Sequence, residues 1–273
     1  MKYNKIILSG CSFFHEPFEL ENIKREIIPT YIKEFISDAN NISDVDIHKL
    51  YYDYVSSGKI KNYRDFKLAK QLFKKFNKEV ISFTKNGNSN DSILDDVINY
   101  LIENKKDTNN IIIVGLTSPH RIRRYYDYNK KYIDIKPKWY DISTDIMSND
   151  YISDEDYKDI GKYYELYLKY FYDTEEHIKT LNNKLDIIKF ICKINKHKLI
   201  IIDNLLFLFD NDKSKNYQNF VDRNKEYLFY FDENNFSWPK FIRSYDTGYS
   251  SQHPNSSDIS ILVDLFKKKL DID

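Results

Sequence analysis

Cysteine is nearly missing from this chain: Cys11 and Cys192 are the two among 273 residues. They form neither a metal-ligand spacing nor a disulfide framework, so the expectation is a reducing compartment with no metal and no cofactor. Net charge is missing as well. Lys and Arg number 42, and so do Asp and Glu, so no overall field draws the chain to nucleic acid or to an anionic membrane. A local basic patch is still compatible with that balance. Long apolar runs are absent too. The N-terminal run around Ile6 to Leu8 is far too short for a signal-peptide core or a membrane span. The expected setting is therefore cytoplasmic, with no nucleic-acid and no membrane partner. Glycine and proline are scarce, at six residues each. The matching surplus of Asn, Lys, Ile and Tyr reads as the print of an AT-rich genome rather than of a function.

What is present is enough to bury a core. With 41% hydrophobic and 16% aromatic residues, residues 1–273 are expected to form one domain with insertions. Four short apolar runs read as strands: KIILS (5–9), EVISF (79–83), NIIIVG (110–115) and KLIIID (198–203). All are continuous rather than alternating, as in strands buried on both faces of a parallel sheet. Helical patterns lie between them. Phe66, Ala69, Phe73 and Phe76 share one face of the first, and Ile93, Leu94, Val97, Ile98, Leu101 and Ile102 line the second, with Asn90 placed as its N-cap. A helix pair at about 154–172 and 174–195 precedes the fourth strand, and a helix over 258–270 closes the chain. This rhythm predicts an α/β fold with a doubly wound parallel sheet and helical insertions. Residues 15 to about 60 read as an inserted, lid-like helical segment. Residues 121–153, rich in Arg and Tyr, read as an excursion after the third strand.

Ligands of open α/β sheets bind at the carboxyl ends of the strands. The loops there are GCSFF, TKNGNSNDS, GLTSPHRIRR and, near the C-terminus, SYDTGYSSQHPNSSD. The first carries Ser12 and the last carries His253, a workable nucleophile and base if both loops share one edge. Each residue also has a plainer reading. Ser12 suits a helix N-cap, and His253 suits an ordinary loop histidine. Cys11, beside an apolar strand, fits a small buried filler better than a thiol nucleophile. His120, Arg121 and Arg123 form a basic knot that reads either as a solvated loop or as recognition of an anionic or sugar-rich ligand, with nearby Tyr and Trp faces suited to sugar rings. The Tyr-rich helix DYKDIGKYYELYLKYFYD reads as core plus subunit contact.

Taken in order, GCSFF, NGNSNDSI, GLTSPHR and HPN resemble the sequence blocks of the SGNH (GDSL-like) hydrolases, and more narrowly a subgroup common in bacteriophage genomes that carries GCSF and SND. The resemblance spans residues 5 to about 266. It implies an SGNH or flavodoxin-like three-layer α/β/α fold. It also implies Ser12 as the nucleophile, whose backbone N–H faces the oxyanion, and His253 as the general base. The oxyanion glycine of the family falls on Asn90 or on Gly87, according to how the block is aligned. A backbone N–H at a helix start suits Asn90 for that task. Two positions depart from the pattern. Thr117 stands where the family offers an Asn side-chain donor, and Ser250 stands where it offers the triad carboxylate. A backbone carbonyl or Asp246 is left to orient the imidazole.

The implied activity is that of a serine esterase working through an acyl-enzyme on a small acyl ester, such as an O-acetyl group of a glycan. The alternative, motivated by Thr117 and Ser250, is a phage-associated binding or structural protein that keeps the fold and has lost turnover. The sequence carries no signal for oligomeric state.

Overall fold

The computed structural model of the chain describes residues 3–11, 68–84, 88–126, 131–137, 144–147, 154–204, 215–233, 235–238, 241 and 256–270. At its centre is a four-stranded parallel sheet of β1 (Lys5–Ser9), β2 (Glu79–Ser82), β3 (Ile111–Leu116) and β7 (Lys198–Asp203), in the order β2-β1-β3-β7. The expected α/β class is therefore observed, with the first strand between the second and third. Ile7 lies beside Ile81 on one side and Ile112 on the other, and Ile113 lies beside Ile200. β3 is buried along its whole length, whereas β2 is only partly covered, as an edge strand is. Beyond β7 the ladder continues irregularly. Ile201 bridges Leu228 and Asp203 bridges Ser237, both in parallel sense.

Helices flank these strands in two packed pairs. α1 (Leu68–Phe76) meets α6 (Ser256–Leu270), and α2 (Asn90–Glu103) meets α4 (Thr174–Ile194). Lys75 pairs with Asp264 across the first contact at 2.6 Å. Lys184 reaches both Asp91 and Asp95 across the second, each at 2.8 Å. The buried face of α1 is Leu68, Leu72 and Phe76, a strict i, i+4, i+8 row, and Phe73 is turned outward at 47% exposure. Of the expected face, Phe76 is buried and Ala69 packs on the core, Phe66 lies outside the described residues, and Phe73 departs from it, its place in the core taken by Leu68 and Leu72. In α2, Ile93, Leu94, Val97 and Leu101 are buried as expected, and Ile102 is exposed.

α4 ends in a hydrogen-bond pattern in which His197 N–H donates to Cys192 O (2.8 Å) and Lys196 N–H to Lys193 O (3.4 Å). Lys196 sits between them at φ 56°, a left-handed position that glycine usually fills. α5 (Lys215–Asn224) packs on α4, where Asn224 Nδ2 donates to Asn182 Oδ1 at 2.9 Å in a buried contact.

The excursion after β3 is an antiparallel sheet of β4 (Ile122–Tyr126), β5 (Lys131–Pro137) and β6 (Thr144–Met147). α3 (Asp154–Tyr170) contacts β6 and presents Tyr164 to the interior, while Tyr163, Leu166 and Tyr170 are exposed. Among the described residues no helix is long and apolar enough to cross a membrane. The 15–60 insertion lies outside the described residues.

Candidate functional site

Parallel register puts the carboxyl termini of β1, β3 and β7 on one edge, β3 and β7 ending level and β1 two residues earlier, where Ser9 lies beside Val114. Leu8 lies beside both Ser82 and Ile113, and Leu116 beside Asp203. The residues that follow each strand are polar yet buried. Ser9, Asn88, Ser89, Asn90, Thr117, Ser118, Arg121, Asp203, Asn204 and Ser237 all lie inside.

Hydrogen bonds tie the first three loops into one unit. After β1, the Gly10 carbonyl accepts from Asn88 Nδ2 at 3.2 Å, and Asn88 Nδ2 also reaches Phe83 O at 3.4 Å. Ser9 Oγ donates to Ile93 O at 3.0 Å, holding the end of β1 against the first turn of α2. Asn88 O in turn accepts from the Arg121 guanidinium at 3.4 Å. The tightest of these ties is reciprocal. Thr117 N–H donates to Asn90 Oδ1 at 2.8 Å, and Asn90 Nδ2 donates to Thr117 O at 2.9 Å. One carboxamide thus satisfies both backbone groups of Thr117 in a place where water does not reach.

The start of α2 is built differently from expectation. Its N-cap is Ser89, which has an extended backbone at φ −81°, ψ 165° and a hydroxyl that accepts from Ser92 N–H at 3.2 Å. Asn90 is the first helical residue. Its side chain is free to hold Thr117 because Ser89 already serves the helix end. The backbone N–H groups of Asn90 and Asp91 lie in the first turn, where a helix offers no acceptor of its own. They form an anion-favouring end with the dipole behind it.

Of the residues singled out for the oxyanion, the structure brings Asn90 and Thr117 together. Thr117 Oγ1 is buried with no hydrogen-bond partner among the described residues. Gly87, Ser12, Asp246, Ser250 and His253 lie outside the described residues. Cys11, directly before Ser12, is fully buried, in keeping with a filler role, and Cys192 is buried as well, its thiol pushed up to about 12 by desolvation.

The basic knot is taken up by structural contacts. Arg121 is 3% exposed, donating to Asn88 O as described, and its N–H donates to Ser118 O at 3.1 Å. Arg123 pairs with Asp95 at 3.0 Å, joining the Asp91–Lys184–Asp95 network between α2 and α4. His120 stacks on Tyr172 with ring centroids 4.9 Å apart, and its carbonyl accepts from the Tyr164 hydroxyl. Burial lowers the imidazole's pKa from its ordinary value, and Nδ1 lies 3.3 Å from Ser118 Oγ. In place of a solvated loop, one of the two readings of this knot, His120, Arg121 and Arg123 make three separate anchoring contacts. Arg121 fastens the third loop to the second, and Arg123 fastens β4 to α2.

Sequence reasoning missed Asn88, whose amide holds the first loop, and the polar group at the end of β7, Asp203 and Asn204, with Ser237 alongside. The signal was present in IIIDN, where an apolar run stops at two polar residues, but the loop after the fourth strand was not read as part of the edge. Among the described residues no group of His, Cys, Asp and Glu is arranged to hold a metal ion. No family model matches the chain, and neither a curated protein nor a solved structure matches it.

Proposed function

We propose that the chain is a serine hydrolase of the SGNH-like class that cleaves a small acyl ester, with an O-acetylated glycan as the substrate class the resemblance favours. The observation that carries this reading is the stapling of the loops after β1, β2 and β3 into one polar unit through Asn88, Asn90 and Arg121. Three of the four sequence blocks that prompted the resemblance therefore meet at one carboxyl edge, where open α/β sheets bind their ligands.

The doubly wound architecture belongs to the same proposal. Passing from β1 to β2 and back across β1 to β3 reverses the direction of travel along the sheet. Right-handed crossovers then put α1 and α2 on opposite faces. The packing of α6 with α1, and of α4 with α2, fits that arrangement.

In the proposed reaction His253 takes the Ser12 hydroxyl proton as Ser12 Oγ bonds to the ester carbonyl carbon. The carbonyl oxygen becomes an oxyanion, held by the backbone N–H groups of Ser12 and Asn90 with the Thr117 hydroxyl beside them. Collapse expels the alcohol, which takes the proton from His253, and leaves an acyl-Ser12. Water, deprotonated by His253, then releases the acid and restores the serine. Reading the loop near Ser250 as lacking a triad carboxylate predicts a slow enzyme, since the imidazolium is left without a charged partner unless Asp246 supplies it.

The test is turnover of p-nitrophenyl acetate and of an acetylated glycan by the natural chain, Ser12→Ala and His253→Ala. Hydrolysis abolished by either substitution supports the reading. Hydrolysis absent, or unchanged in Ser12→Ala, overturns it in favour of a binding protein that has kept the fold without turnover.

A further inference from the structure

The carboxyl edge holds an amide that the resemblance leaves without a role. Asn204 directly follows β7 and is 0% exposed, and neither Nδ2 nor Oδ1 of its side chain has a hydrogen-bond partner among the described residues. Its backbone is fixed: Asn204 N–H donates to Leu116 O at 2.9 Å. Leu116 and Asp203 are the last register partners of β3 and β7, so Thr117 and Asn204 directly follow two paired strand ends. Thr117, also 0% exposed, contributes a second unpartnered group there, its hydroxyl.

Two such groups at one sheet edge are expensive. A buried donor or acceptor left without a partner costs about 1 to 3 kcal/mol, and an apolar side chain of the same shape would avoid the penalty. Folded proteins keep few of them, and those they keep call for an explanation. The other carboxamides of this edge are tied to the loops, Asn88 donating to Gly10 and Phe83 and Asn90 bonding Thr117 through both its Nδ2 and its Oδ1. Among the described residues of the edge, Asn204 is the carboxamide with neither its donor nor its acceptor engaged.

We infer, resting on the hydrolase reading above, that Asn204 is the side-chain amide donor to the oxyanion, supplied from β7 in place of the asparagine that Thr117 displaces on the β3 loop. Nδ2–H donates to the ester carbonyl oxygen, and the hydrogen bond strengthens as that oxygen becomes the alkoxide of the tetrahedral intermediate. No covalent bond to Asn204 forms or breaks. The backbone of Asn204 is held to β3 through Leu116 O, and among the described residues its amide has no other hydrogen bond to give up when charge develops. The Thr117 hydroxyl stands alongside as a second donor.

The experiment is the rate of Ser12 phosphonylation by a fluorophosphonate, whose transition state also builds charge on oxygen, measured with the melting temperature for the natural chain, Asn204→Leu and Thr117→Val. The expected result is labelling of Ser12 in the natural chain, a fall of about 10²-fold or more in Asn204→Leu, a smaller fall in Thr117→Val, and a melting temperature for Asn204→Leu equal to or above that of the natural chain. If Asn204→Leu does not fold, Asn204→Ala, which only removes atoms, is read by the same criteria. Labelling of the Asn204 variants at the natural rate overturns the inference and spares the hydrolase reading. A melting temperature lowered by several degrees in both Asn204 variants assigns the amide to structure and also overturns it. No labelling of the natural chain at Ser12 removes the hydrolase reading and the inference together.

Discussion

Replacing Asn90 with alanine removes the clamp that holds the loop after β3 to the start of α2. Two hydrogen bonds of 2.8 and 2.9 Å disappear, and the N–H and C=O of Thr117 are left buried without partners. At about 1 to 3 kcal/mol for each of the two stranded backbone groups, the loss is about 2 to 6 kcal/mol. At roughly 2 to 4 °C per kcal/mol for a large domain, the melting temperature falls by roughly 4 to 24 °C. Asn90→Asp keeps the acceptor for Thr117 N–H but sets a carboxylate oxygen against Thr117 O, so it falls between alanine and the natural chain. Urea unfolding followed by tryptophan fluorescence reads the loss, since Trp238 is fully buried against Phe231 and Phe241. A loss below about 1 kcal/mol for Asn90→Ala would refute the clamp, because it would mean that Thr117 finds other partners at no cost.

Three further outcomes follow from other parts of the fold. His197 Nδ1 accepts from Asn110 N–H at 3.0 Å, and burial lowers the imidazole's pKa, opposed by the Asp107 charge. The unfolded chain therefore binds the proton more readily. Its contribution is complete above about pH 6.5 and is lost as the pH falls below that value, with a slope of at most about 1.4 kcal/mol per pH unit. Unfolding free energies at several pH values should show a shallower acid loss in His197→Asn; an unchanged slope contradicts the assignment. Lys196→Gly relieves the left-handed strain at the end of α4 and should raise stability by about 1 kcal/mol in urea unfolding; a loss would contradict it. Arg123→Ala breaks a partly exposed pair with Asp95 and should cost about 1 kcal/mol or less by the same measurement, while leaving esterase activity near the natural level.

The sheet was legible because β1, β3 and β7 carry continuous Ile-rich apolar runs, the composition that burial on both faces favours. The helix positions followed from periodicity, yet the buried face of α1 did not, since Phe73 and Leu72 compete for it and only packing against α6 decides. The antiparallel sheet over β4 to β6 is not legible in the sequence, because IRRYY has no clean alternation of apolar and polar residues. The loops of the carboxyl edge were legible as blocks, and Asn90 and Thr117 do meet there. Their bonding was not, because the same Asn can cap its own helix or reach across to another loop, and Ser89 settles that choice in space rather than in sequence. Arg121 and Arg123 looked like free cations for a similar reason. Asn88 O and Asp95, 33 and 28 residues away in the chain, are what engage them.

The central claim is that the residue after Cys11 is an activated nucleophile, and mass spectrometry after exposure to a fluorophosphonate tests it most directly. The account predicts a single adduct per chain, mapped to Ser12 and lost in His253→Ala. An unmodified chain, or an adduct that maps elsewhere and survives Ser12→Ala, would contradict it.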